Sequence, residues 1–166
     1  VYRTIRARTQ WNKIIEKALE AVEPGLLFID RANELSNSWY FSELICSNPC
    51  GEVFGPANSV CNLTHINLTK FLTVKALADD SNDAEVALTQ VDWVGLDQMV
   101  RDGVRFLDDV VAINRDHDKA IAAQQHGERR IGLGILGYGE MLMRLGLAYG
   151  GDAAVKFTDK LFERIW

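Results

Sequence analysis

Three residue types able to do chemistry share one pentapeptide, Asn48-Pro49-Cys50-Gly51-Glu52: an amide, a thiol and a carboxylate at alternate positions. Pro49 has no amide proton and cannot sit in the middle of a sheet ladder. Gly51 opens backbone angles that other residues avoid. The stretch is therefore predicted to be a loop. If it is locally extended, side chains alternate, and Asn48, Cys50 and Glu52 project to one side. A second thiol, Cys61, follows within Val60 to Leu68, an apolar run that reads as a buried strand. A turn through Gly55-Pro56-Ala57-Asn58 can bring the two sulfurs together, and they can bond only if their Cα atoms come within roughly 7 Å. A thiol beside a second thiol, an acid and an amide suits redox chemistry at a bound substrate.

Each of these residues also has a plainer reading. A free cysteine is commonly a small buried apolar residue. A glutamate is by default a solvated surface acid, and an asparagine in such a loop commonly bonds its own backbone. A competing site is the set Cys46, Cys50, Cys61 and His65, whose residue types and nearly finger-like spacing are those of structural zinc. The usual knuckle spacing is tighter, and His65 sits in an apolar strand, where a core or rim histidine is the expectation. A second decoy is Gly132-Leu133-Gly134-Ile135-Leu136-Gly137, which fits the glycine pattern of dinucleotide loops. That fold needs a full strand before the pattern and an acidic residue about twenty positions later, ending a second strand. Here Glu128-Arg129-Arg130 precedes it and Asp152 starts a helix. These glycines are expected to let a strand and a helix pack closely, and Arg129 and Arg130 to pair with acids.

The elements around these residues follow from apolar spacing. Trp11, Ile14, Ile15, Ala18, Leu19 and Val22 mark an amphipathic helix, stopped by Pro24-Gly25. Leu26 to Ile29 reads as a short buried run, Arg31 to Tyr40 as an asparagine-rich loop, and Phe41 to Ile45 as the approach to the pentapeptide. Lys70 to Leu77 is read as a strand end or short helix, and Ala78 to Asp83 as an exposed acidic turn. Asp92 is placed to cap a long helix with an apolar stripe of Leu96, Met99, Val100, Phe106, Leu107, Val110 and Ile113. Gly103 lies on that stripe and allows close packing. His117 to Gln125 is read as a short helix, Ile131 to Ile135 as a strand, and Tyr138 to Leu145 as a helix ended by Gly146. Asp152 is expected to cap a last helix carrying Val155, Leu161, Phe162 and Ile165.

The chain has 166 residues, 48% hydrophobic and 25% charged, enough for one domain with a real core. A net charge of −5 argues against a nucleic-acid surface. No run approaches the roughly 18 apolar residues of a membrane span, and no secretory signal opens the chain. Three cysteines, an odd and small number, favour a reducing compartment and thiols kept for chemistry. The expected location is cytoplasmic. Val1 opens the chain in place of Met, and Trp166 closes it inside an apparent helix, so an excised or incomplete piece of a longer chain is expected.

Asn-Pro-Cys-Gly-Glu at 48–52, followed by Cys61-Asn62-Leu63 and Ile66-Asn67-Leu68, resembles the finger loop and following strand of the ribonucleotide reductase large chain. Arg129 to Gly137 and Pro24 to Asn33 resemble two further stretches of that family, in the family's order. The resemblance covers most of the chain, is poor from Leu72 to Gln90, and is nearest the adenosylcobalamin-dependent type. It implies an α/β fold, a helix-rich fragment of a ten-stranded α/β barrel with a central finger loop, and residues 1–166 as a single partial domain. It implies reduction of ribonucleotides to deoxyribonucleotides, with Cys50 carrying a thiyl radical that removes the 3′ hydrogen, Glu52 as general base on the 3′-hydroxyl and Asn48 orienting the hydroxyls. Cys61 matches one of two cysteines that deliver electrons and become a disulfide; its usual partner lies upstream of this chain. Cys46 has no role in the family pattern and is read as structural. The implied cofactors are adenosylcobalamin and a dithiol reductant such as thioredoxin. The implied partners are a ribonucleotide substrate, deoxynucleotide or ATP effectors on the whole enzyme, the missing N- and C-terminal segments, and a second copy in a homodimer. Without the upstream cysteine, a downstream phosphate loop and C-terminal thiols, the isolated chain is expected to be inactive. A zinc-stabilised module and a split-gene piece working only with its partner chain are the competing readings.

Overall fold

Residues 4–73, 82–115 and 118–166 are described by the structure, a computed structural model. Two units, Val1–Ala57 and Asn58–Trp166, make up the chain. In the first, the apolar spacing from Trp11 onward forms helix α1, Ala7–Ala21, as the periodicity predicts. It ends at Val22, which takes a left-handed conformation (φ 62°) and returns its amide to the Ala18 carbonyl. None of α1 is buried; Leu19 is 82% exposed.

Leu26, Leu27 and Phe28 are exposed rather than buried, because a unit this small has too little interior to cover every apolar run. The asparagine-rich stretch is partly helical: Ile29–Glu34 forms α2. The side chain of Asn33 explains both its composition and its place. Its amide nitrogen donates to the Leu44 carbonyl (2.7 Å) and its oxygen accepts from the Leu44 amide (2.8 Å), so one side chain satisfies a backbone residue as a neighbouring strand would. Leu44, buried at 6% exposure, is thereby fixed just ahead of strand β1, Cys46–Ser47, which pairs antiparallel with β2, Phe54–Gly55.

In the second unit, β3, Asn62–Asn67, pairs in parallel with β4, Ile131–Leu136, from Asn62 opposite Ile131 to Asn67 opposite Leu136. A parallel pair needs a long crossover, and the described part of it holds a 3₁₀ turn (Leu68–Phe71), α3 (Ala84–Leu88), α4 (Trp93–Ile113) and α5 (Lys119–Glu128). Parts of the readings for 70–77, 78–83 and 117–125 lie outside the described residues. Asp92 caps α4 as expected, its carboxylate accepting from the Gly95 amide at 2.9 Å. Gly103 is where α4 meets the sheet: a Cβ there would stand 3.0 Å from Leu133 and 3.9 Å from Thr64. The helix buries Leu96, Leu107 and Val111, while Met99, Phe106 and Ile113, placed on the stripe by spacing, are exposed.

After β4, Gly137 in a left-handed conformation (φ 74°) starts α6, Tyr138–Arg144, and Gly146 (φ 68°) follows its end. The last helix, α7, is Asp152–Ile165 and buries Ala154, Phe157 and Leu161. Asp152 makes no capping bond and is the first helical residue, with Gly151 at the cap; Val155 is 61% exposed. The core of this unit runs through Ile66, Leu68, Leu96, Met141, Phe157 and Leu161. No helix among the described residues is long and apolar enough to cross a membrane.

Candidate functional site

The pentapeptide closes the β1–β2 hairpin. The Ile45 amide donates to the Gly55 carbonyl (3.0 Å) and the Asn48 amide to the Val53 carbonyl (3.1 Å), so the ladder continues past the two short strands on both sides. Between them Gly51, at φ 82°, bends the chain and donates its amide to the Asn48 carbonyl at 3.0 Å. A side chain is strained at that angle, which is why glycine stands there. The loop prediction holds, and its locally extended form is replaced by a tight turn.

Asn48 holds this turn with both arms. Its side-chain oxygen accepts from the Val53 amide at 3.0 Å, the backbone role common for asparagine in loops, and its nitrogen donates to the Glu52 carboxylate at 2.5 Å. The amide and the acid are brought together by the turn, not by strand alternation. Cys50 lies between them in sequence, exposed and free. Pro49 and Gly51 flank it without a polar side chain. Cys46 is tied to the opposite side of the hairpin, its thiol donating to the Gly55 carbonyl at 3.4 Å, in keeping with a structural role.

Cys61 lies one residue ahead of β3 rather than inside it, and the strand is half-buried: Ile66 is enclosed, Leu63 and His65 are exposed. Alternation sorts the two faces. Thr64 and Leu133 meet α4 at Gly103. On the other face a Cβ on Gly132 would collide with the Leu63 side chain and stand 3.5 Å from the Cys61 sulfur, and one on Gly134 would come within 2.5 Å of the His65 ring. The two strand glycines therefore clear a surface over which the Cys61 thiol, Leu63 and the His65 imidazole lie. They fall inside the strand, not in a turn after it, which removes the dinucleotide-loop reading.

Arg130 pairs with an acid as expected, but the sequence reading did not place that pair beside Cys61. The Glu128 carboxylate, 5% exposed, is ion-paired with Arg130, 22% exposed, and accepts from Ser59 Oγ (3.3 Å) and Gln124 Nε2 (3.4 Å). Burial pushes the Glu128 carboxyl up, but the hydrogen bond and charge of Arg130, with the Gln124 and Ser59 hydrogen bonds, hold it below its ordinary value. Burial pushes the Cys61 thiol up; Arg130 opposes that and Glu128 adds to it. The signal available in the sequence was Glu128 and Arg130 standing immediately before a strand. Arg129, as expected of a basic residue here, pairs with an acid: it takes a left-handed conformation (φ 50°) at the end of α5 and bonds Asp108 of α4 at 2.7 Å.

All three cysteines are free. Among the described residues no group of three or more histidine, cysteine, aspartate or glutamate side chains stands where it could hold a metal, so the zinc set Cys46, Cys50, Cys61 and His65 is not favoured.

Relatives are similar along nearly the whole chain. A vitamin B12-dependent ribonucleoside-diphosphate reductase of Thermoplasma acidophilum is 30% identical over 165 residues, 99% of this chain and 20% of that protein. A protein of the same name from Mycobacterium tuberculosis is 33% identical over 155 residues, 93% of this chain and 20% of its own length. A ribonucleoside-diphosphate reductase subunit alpha of Chlamydia muridarum is 30% identical over 169 residues, 99% of this chain and 15% of that subunit. The chain thus spans about a fifth or less of the curated relatives it matches. The family model for the ribonucleotide reductase barrel domain matches residues 1–166, and the chain belongs to that family.

Proposed function

We propose that this chain is the finger-loop part of a ribonucleotide reductase catalytic subunit, within a ten-stranded α/β barrel completed by other segments. The observation that carries the reading is the hairpin turn in which Asn48 grips Glu52 on either side of an exposed Cys50. The reaction replaces the ribose 2′-hydroxyl by hydrogen. The hydroxyl leaves as water, and a dithiol such as thioredoxin's supplies two electrons and two protons while becoming a disulfide.

In this reading the Cys50 sulfur takes the 3′ hydrogen and later returns it, a reversible exchange because S–H and ribose C–H bonds are similar in strength. The Glu52 carboxylate accepts the proton of the 3′-hydroxyl, which eases departure of the neighbouring hydroxyl. Asn48, fixed by Val53 and Glu52, orients the hydroxyls. Cys61 is redox-active and pairs with a cysteine outside this chain.

The exposure of Cys50 and the absence of bulk at Gly51 fit a large radical-generating group approaching the sulfur. Adenosylcobalamin, the cofactor in the names of the Thermoplasma and Mycobacterium relatives, supplies when bound the radical chemistry that a side-chain acid or base cannot. The whole enzyme is proposed to be cytoplasmic and homodimeric, with deoxynucleotide or ATP effectors.

The test is Cys50→Ser in the full-length enzyme, measuring deoxyribonucleotide formation and exchange of the 3′ hydrogen with isotope-labelled substrate. Both should fall to background, a loss of roughly a thousandfold or more on the rate scale of enzymes. Retained exchange at C3′ ends the assignment.

A further inference from the structure

We propose that Glu128 and Arg130 are positioning residues for Cys61: Arg130 favours its thiolate, and Glu128 holds Arg130 in place while opposing that negative charge. The pair is placed by topology. Register sets Asn62 opposite Ile131, so Cys61 stands level with Arg130 where the two parallel strands begin, with its sulfur over Gly132. Glu128 reaches back across that opening. It pairs with Arg130, and it accepts from Ser59, two residues ahead of Cys61, and from Gln124 of α5. The chain is thus gripped on both approaches to the thiol.

An ion pair this enclosed is costly to desolvate and is weak evidence of a stabilising role. It is also poorly screened by salt, so its field reaches a neighbouring sulfur. Burial raises the thiol above its ordinary 9.0; Arg130 opposes this, and Glu128 adds to it. From the packed elements, α4 covers the opposite sheet face and directs Asp108 to Arg129. His65 lies further along the same face over Gly134. The step affected is a proton transfer: the Cys61 S–H bond breaks, the electron pair stays on sulfur and the proton goes to solvent. Thiolate is the species that takes part in thiol–disulfide exchange. Only this last consequence rests on the redox reading of Cys61.

The experiment follows the rate of iodoacetamide alkylation at Cys61 against pH, resolved by mass spectrometry of its peptide, in the full-length enzyme. Arg130→Gln should move the midpoint up, and Glu128→Gln should move it down, each by roughly half a pH unit or more, as nearby single charges do. Arg130→Lys keeps the charge, and its midpoint should stay near that of the unaltered enzyme. Opposite signs are the signature; a purely structural pair, once broken, moves the thiol the same way in both variants. Shifts of one sign, no shift, or an Arg130→Lys midpoint that follows Arg130→Gln overturns the proposal. Turnover of Cys61→Ser with a dithiol reductant tests the redox reading separately: survival of turnover ends that reading and leaves the charge coupling to stand or fall on alkylation.

Discussion

At the residue scale, the two arms of the Asn48 amide go to different partners, the Val53 backbone and the Glu52 carboxylate. The same side chain shapes the turn and aims the acid. Glu52→Gln in the full-length enzyme removes the proposed base but keeps the shape, and kcat should fall by roughly 10²–10⁴. Asn48→Ala releases the carboxylate and loosens the turn, with a loss of about 10² expected from lost orientation. Single-turnover rates separate these from substrate binding, and a Glu52→Gln rate near that of the parent removes the base role. The pentapeptide was legible in the sequence because its residue types and its loop character are both local. Glu128 was not, because its meaning depends on a parallel pairing that starts with Asn62 opposite Ile131, just past Cys61 and Arg130.

At the element scale, Asn33 does for Leu44 what a neighbouring strand does elsewhere. It holds the approach to the hairpin that ends in Cys50. Asn33→Ala leaves the Leu44 amide and carbonyl without these partners, at a cost of about 1–3 kcal/mol for groups so enclosed. Hydrogen exchange at the Leu44 amide should speed up selectively; unchanged protection there contradicts the role. Sequence periodicity found α1, α4, α6 and α7 and both long strands, since 3.6- and 2-residue repeats are local signals. It placed Leu96, Leu107 and Gly103 on the packed side of α4 but drew the stripe too wide. Apolar residues run around much of that helix, and packing against its neighbours buries Leu96, Leu107 and Val111 while Met99, Phe106 and Ile113 stay exposed.

At the scale of the whole molecule, Glu128 links three separate parts of the second unit: the approach to β3 at Ser59, α5 at Gln124 and the approach to β4 at Arg130. Its carboxyl is held below the ordinary 4.5, so the unfolded chain binds this proton more readily than the folded one. Its stabilisation is therefore full above about pH 4.5 and is lost as pH falls through the lower folded value. Glu128→Gln should lower the thermal midpoint of the full-length enzyme at pH 7, by the equivalent of about 1–3 kcal/mol. The gap to the parent should close as the solution is acidified below pH 4.5. A gap that is constant with pH would show that the carboxylate's charge is not what stabilises.

The sequence by itself determined the loop at 48–52, the separate chemistry of its amide, thiol and acid, and the longer helices and two long strands of the chain. Those properties depend on residue type and short-range spacing. Tertiary structure alone decided that Asn48 grips Glu52 through a turn, that Asn33 pairs with a backbone eleven residues away, and that a part-buried ion pair stands beside Cys61. Each of these depends on residues brought together by hydrogen bonds and parallel pairing, and distance in space along a folded chain leaves no periodic trace in its sequence.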